Sequence, residues 1–250
     1  MAALAGLMLV GCSAPKTEEP AEATPEATAE ATAEATAEAT AEAASTAAGG
    51  WTVNESYNEL LADDEKAIFD KAMEGLVGVG YTPIQVIATQ LVSGTNYAFL
   101  ASGTTVTAEP ATNYYVVVVY NSLDGNAEIK SIKQIDLADI KTADPEKAPA
   151  VGAWEVRDTG KAGMLPGEEA QASFDAATEK LLGLTLNPVV LLGTQVVAGT
   201  NYVALCRGRT VTENPELDLY VTKWFAGVDG TNDVLENNRF DLLYYVTPEE

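Results

Sequence analysis

The sequence predicts an α+β protein built from two copies of one domain, each a single α-helix packed on a four- to five-stranded antiparallel sheet, both carried behind a disordered acidic tether. Three observations lead there. The string Gln90-Leu91-Val92-Ser93-Gly94-Thr95-Asn96-Tyr97 returns as Gln195-Val196-Val197-Ala198-Gly199-Thr200-Asn201-Tyr202, 195 − 90 = 105 positions later. The same spacing relates Phe69 to Phe174, Pro83 to Pro188, Thr105-Val106-Thr107 to Thr210-Val211-Thr212 and Asp124-Gly125 to Asp229-Gly230. A period of that length suits an independent domain and is too long for a solenoid repeat, so each copy is expected to own a core. Each copy also opens with one amphipathic helical pattern, and everything after that helix reads as strands joined by short turns, which form antiparallel hairpins.

The elements follow in order. Gly49-Gly50-Trp51-Thr52-Val53 is a short strand-like opening. From Asp63 to Val77 the residues Ile68, Phe69, Ala72, Met73 and Leu76 share one helical face, and the acidic first turn Asp63-Asp64-Glu65 complements the helix dipole. Strands are expected from Ile84 to Val92 after Thr82-Pro83, from Tyr97 to Val106, from Tyr114 to Tyr120, and from Ala127 to Leu137 after Ser122-Leu123-Asp124-Gly125, because β-branched and aromatic residues fill the runs and Gly, Asn and Asp fill the breaks. The second copy repeats the helix from Gly167-Glu168-Glu169 through Phe174, Ala177, Leu181 and Leu182.

Ahead of the copies, residues 1–11 form an apolar leader and Leu9-Val10-Gly11-Cys12-Ser13 resembles a bacterial lipobox. That resemblance implies a lipoprotein signal, a lipid anchor on Cys12 and a place in the cell envelope, outside the cytoplasm. The apolar run is too short to span a bilayer. A secretory signal carries a positive n-region and no Lys or Arg precedes this one, so the natural start is expected upstream of Met1. Residues 12–48 are almost wholly Ala, Glu, Thr and Pro, with Glu26, Glu30, Glu34, Glu38 and Glu42 in step. On a helix these would form a like-charged i,i+4 stripe, so a self-repelling tether is expected. The domains are placed at 49–140 and 151–250. The linker 141–150 is polar and Pro-punctuated, which permits two independently oriented copies and leaves open whether they pack on each other; a monomer is expected.

Composition narrows the function. A formal charge of −23 argues against nucleic acid as a partner. The chain has no His, the usual general base of nucleophilic catalysis and the commonest zinc ligand, and it shows no paired-carboxylate, metal-spaced or phosphate-loop motif. No enzyme, metal or cofactor is therefore expected. Cys206 lies in an apolar strand-like run and reads as a small buried thiol.

The repeated string itself has the form Gln-x-Val-x-Gly, after one helix and between two strands. It resembles the first inhibitory hairpin of the cystatin superfamily, with Gln195 to Tyr202 matching the stefin type over all eight residues. Gly49-Gly50 resembles the stefin glycine pair, and Tyr120 to Gly125 and Phe225 to Gly230 fall where stefins carry a second hairpin loop. The resemblance implies a wedge of three segments that enters the cleft of a papain-like cysteine protease reversibly. Carried over by position, the wedge residues are Gly50, Gln90, Val92, Gly94 and Leu123 in the first copy and Gly152, Gln195, Val197, Gly199 and Val228 in the second. Departures from the pattern are visible: Asp124 and Asp229 stand where stefins have Pro, adding charge and flexibility, and Gly152-Ala153 replaces the glycine pair. Trp224 is expected to face the sheet. The alternative is a non-inhibitory module of the same fold that binds a protein or peptide at the envelope, because a hairpin of good turn residues needs no further purpose.

Overall fold

The computed structural model describes residues 49–56, 61–136, 154–156, 165 and 167–248. The leader, the tether with Cys12, the linker and Gly152 lie outside the described residues.

Two five-stranded antiparallel sheets form the body. In the first, β1 (Trp51–Val53), β2 (Val79–Val92), β3 (Gly94–Thr105), β4 (Thr112–Asn121) and β5 (Ala127–Gln134) lie side by side in chain order, with helix α1 (Asp63–Met73) between β1 and β2 in sequence. The second repeats the plan with β6 (Glu155–Val156), α2 (Gly167–Thr178), β7 (Leu184–Val197), β8 (Gly199–Thr210), β9 (Leu217–Gly227) and β10 (Asn232–Arg239), followed by a one-turn helix α3 (Leu242–Val246).

The first helix starts as its acidic turn predicts, with Glu65 reaching back to accept from the Ala62 N–H at 3.2 Å. It ends earlier than the apolar pattern suggests. Leu76 lies beyond the last turn and is exposed, because Gly75 sits at positive φ just past the helix and turns the chain out; Leu182, beyond the end of α2 at Thr178, is exposed as well. The second strand, by contrast, begins before Pro83. A proline removes a ladder donor, and the register slips there, between Pro83 and Gln85, and again between Val86 and Ala88. Pro188/Val190 and Leu191/Gly193 repeat both slips in β7. Extra residues break the strict in-out alternation, and Ile84, Gln85, Val86, Ile87 and Ala88 are all buried in succession because both faces of this strand are covered, Ile84, Ile87 and Ala88 in one apolar cluster and Val86 in another.

Each copy owns a core between its helix and its sheet. In the first, Phe69 of α1 meets Phe99 edge to face at 5.1 Å, Tyr97 stacks on Phe99, and Val86, Ala101, Val117 and Val119 close the layer. In the second, Phe174 of α2 meets Trp224 edge to face at 5.1 Å and Tyr202 stacks on Trp224. Position 99 corresponds to Ala204 and position 119 to Trp224, so the central ring comes from β3 in one copy and from the β4 equivalent in the other. Volume is conserved across the pair of positions while its source moves, a compensated exchange that close packing demands. Trp224 is fully buried and donates its indole N–H to Ser173 Oγ at 3.0 Å.

A third core answers what the sequence left open, whether the copies pack on each other. The opposite faces of the two sheets share one apolar cluster: Ile84, Ile87, Ala98, Leu100, Val116 and Val118 from the first copy pack with Val189, Val190, Leu192, Val203, Leu205 and Leu219 from the second. Both sheets are therefore covered on both faces, helix outside and partner sheet inside, and a polar linker does not keep apart two surfaces that are mostly aliphatic. Arg207, fully buried on β8, crosses this junction, donating from Nε to the Asn54 carbonyl at 2.5 Å and from Nη2 to the Val86 carbonyl at 3.5 Å. Arg209 pairs with Glu55 at 3.1 Å beside it. Lys133 and Ser131 of β5 donate to the carbonyls of Tyr244 and Tyr245 in α3, which fastens the second copy's C-terminal turn onto the first copy's edge strand.

Candidate functional site

One end of the first sheet gathers three segments that are far apart in sequence. Strand β1 pairs with β2 so that Trp51 lies opposite Gln90, which puts Gly49 and Gly50 beside the approach to the first hairpin tip. Gln90 is the joint: its Nε2 donates to the Gly49 carbonyl at 2.6 Å, and its Oε1 accepts from Asn96 Nδ2 at 2.6 Å across the hairpin. The conspicuous Gln and Asn of the repeated string thus tie the opening segment to the hairpin and the hairpin to itself.

Gly94 then brings the second hairpin in. Its φ is +123°, and a Cβ there would lie 2.4 Å from the Asn121 carbonyl oxygen and 3.1 Å from Ser122 Cα. Only glycine allows β3 to start this close to the end of β4. Gly94 is buried under the base of the second loop, so its lack of a side chain serves the close approach of the two hairpins. Gly199 repeats it, with φ +140° and the Ala226 carbonyl oxygen 2.4 Å from an added Cβ. Tyr120 locks the contact in the first copy, donating its hydroxyl to the Ser93 carbonyl at 2.5 Å.

Among its exposed turn residues the edge presents aliphatic side chains to solvent. Leu91, Val92 and Leu123 of the first copy are exposed, Leu123 to 89 %. In the second, Val196 and Val228 are exposed, Val228 to 91 %, and Val197 is half-buried. Gly50, Gln90, Val92, Gly94 and Leu123 are therefore brought to one end of one sheet. Gln195, Val197, Gly199 and Val228 are brought together by the same register in the other, where Asn201 donates to Gln195 Oε1 at 2.9 Å. Gly152 belongs to the segment outside the described residues. Glu155 faces Thr194, so Trp154, one residue earlier, continues toward Gln195 as Trp51 stands toward Gln90. Its ring also lies 5.1 Å from Lys223 Nζ.

The second loops correct another expectation. Asp124 and Asp229 do not loosen their turns; they brace them. In the first copy Ser122 N–H donates to the Asn126 carbonyl, Gly125 N–H to the Ser122 carbonyl, and Asp124 accepts from Ser122 Oγ on one oxygen and from Asn126 Nδ2 at 2.9 Å on the other. In the second, Gly227 and Gly230 make the equivalent backbone bonds and Thr231 N–H donates to Asp229 Oδ1 at 3.0 Å. An Asp side chain that mimics a backbone turn is a familiar device. These bonds, from Ser122 Oγ first in one loop and from the Thr231 backbone first in the other, hold both carboxyls below the usual carboxylate range. Gly125 and Gly230, at φ +80° and +86°, complete the turns.

The described cysteine lies away from this edge. Cys206 is fully buried under α2 and burial pushes its thiol up to about 12, so it stays protonated and enclosed. Among the described residues no group of three or more His, Cys, Asp or Glu side chains is placed to hold a metal ion, and no helix is long and apolar enough to cross a membrane.

Residue-level reading missed Leu91, Lys71, Tyr120 and the two Asn partners. Asn96 and Asn201 carried a signal, since both recur six residues after the Gln. Lys71, which donates to the Gly125 carbonyl at 2.7 Å from the helix, carried none. No protein-family model matches the chain, and no curated protein matches it significantly.

Proposed function

We propose that the chain is a cell-envelope lipoprotein, anchored through Cys12, whose two cystatin-like domains act as reversible inhibitors of papain-like cysteine proteases. It works as a wedge and not as an enzyme, as a monomer needing no cofactor. The observation that carries this reading is the convergence of the opening segment, the Gln-x-Val-x-Gly hairpin and the second hairpin at one end of each sheet, with Leu91, Val92 and Leu123, or Val196 and Val228, standing into solvent.

The chemistry is steric and apolar. A narrow sheet end carrying three tips enters a cleft, its aliphatic tips leave water, and the docked backbone covers the protease's cysteine without offering a bond it can cleave productively. Binding is reversible because nothing covalent forms. The frame is already assembled by the Gln90 and Gly94 contacts, so little conformational freedom is lost on docking.

The charged turn residues Asp124 and Asp229, in place of an apolar contact, favour the second reading: a non-inhibitory module of the same shape that receives a protein or peptide partner at the envelope. A titration separates the two. The segment from Ala43 to Glu250 is one compact unit holding all three apolar clusters, and it is added to papain beside a variant carrying Val92→Glu and Val197→Glu. The inhibitor reading expects reversible inhibition that the variant loses by about a hundredfold or more, as for a charge buried at an interface centre. A folded parent without effect at micromolar excess contradicts it and leaves the binding module.

A further inference from the structure

We propose that Asp124 and Asp229 set the specificity of the two wedges, selecting proteases whose cleft rim carries a lysine or arginine beside the apolar surface that receives Leu123 or Val228. This rests on the inhibitor reading above.

The two loops make the case by agreeing where they need not. Their sequences differ at Ser122/Gly227, Leu123/Val228 and Asn126/Thr231, yet both keep an exposed aliphatic tip, an aspartate directly after it and a glycine at positive φ. Different donors, a Ser hydroxyl with an Asn amide in one and a Thr backbone N–H in the other, hold the carboxylate in place. The bracing hydrogen bonds come from neutral donors, so they fix each exposed carboxylate without cancelling its charge. None of the described ion pairs includes either residue. Each wedge therefore presents a fixed, unneutralised negative charge one residue from its most exposed apolar side chain. A carboxylate that enters an interface opposite an apolar or acidic wall loses water without compensation. Opposite a cation it gains a charge-assisted contact, steers the encounter and rejects the wrong partner.

The test is a charge-swap cycle on papain. Papain variants carrying Lys or Glu on the part of the cleft rim that faces the second loop are titrated with the Ala43–Glu250 unit and with its Asp124→Asn, Asp229→Asn double variant. Asn keeps an acceptor oxygen for the turn bonds. The expected result is that the parent binds the Lys rim about tenfold or more tighter than the Glu rim, a difference that raised salt shrinks and that the double variant largely loses. A Ser122→Ala, Asp229→Asn variant keeps the Asp124 charge with a weakened brace, and it is expected to retain the preference of the first wedge. Parent and double variant responding equally to the rim charge would overturn the proposal. So would loss of the preference in the variant that retains Asp124. If the parent inhibits none of the papain forms, the inhibitor reading fails and this inference with it. Inhibition that is present but indifferent to rim charge removes this inference alone.

Discussion

The two sheet ends share a frame and differ in how tightly it is tied. Both use a Gln–Asn pair across the first hairpin, a glycine under the second loop and a braced Asp turn. Only the first copy adds Tyr120 hydroxyl to the Ser93 carbonyl and Lys71 to the Gly125 carbonyl. The corresponding positions in the second copy are Phe225, whose ring lies against Gly199 with no hydroxyl to donate, and Ala176 on the outer helix. Backbone geometry is thus encoded by the few residues the copies have in common, and rigidity is adjusted by those they do not. A tied loop loses less entropy on docking, so the proposed inhibitor function leads to the expectation that the first wedge binds more strongly.

The largest expected effect tests the shared frame. Gly94→Val and Gly199→Val each force a side chain into a carbonyl oxygen at positive φ, and each is expected to lower stability in urea by more than about 3 kcal/mol. A small loss at either site would mean that the second loop does not rest on that glycine. Next comes the exchanged aromatic. Phe99→Ala and Trp224→Ala each cost about 3–5 kcal/mol, whereas Phe99→Ala combined with Val119→Trp, which copies the second core into the first, recovers a good part of the loss. No recovery in thermal melts would show that the two cores are not interchangeable.

Making the first copy resemble the second probes the ties directly. Tyr120→Phe and Lys71→Ala are each expected to weaken the first wedge about fivefold, the worth of about 1 kcal/mol for one hydrogen bond, while leaving the second unchanged. The smallest effect concerns pH. Asp124 and Asp229 have carboxyls held below their ordinary value of 3.8, so their bracing is complete above that value and is lost as pH falls through the lowered one. Carboxyl titration by NMR is expected to show both below 3.8, with the turn amides of Asn126 and Thr231 shifting in step. Unshifted values would leave the turns held by backbone bonds alone.

Much of this was legible in the residues. The 105-residue spacing located both copies, the acidic turns marked the helix starts, and the hairpin string marked the edge that now carries the tips. The register slips were not legible, because a proline in a strand run signals either a boundary or a bulge, and Thr82-Pro83 read as a boundary. The shared core had a signal that the linker obscured: Val116 to Val119 and Val189 to Leu192 are continuous apolar runs, the pattern of strands covered on both faces. Arg207 concealed the junction further. Its counterpart, Ser102, sits at the same depth in the first sheet, and nothing in the string announces that a charged side chain will be enclosed, where burial draws its guanidinium down to about 10.

The most direct test of the unequal wedges disables one at a time. Leu123→Asp and Val228→Asp are placed separately in the Ala43–Glu250 unit, where both side chains are almost fully exposed and the fold is not at stake, and papain inhibition constants are compared with the parent. The account predicts that Leu123→Asp weakens inhibition more than Val228→Asp does, because it removes the tied site and leaves the looser one. Equal inhibition by all three, or a larger loss from Val228→Asp, would contradict it.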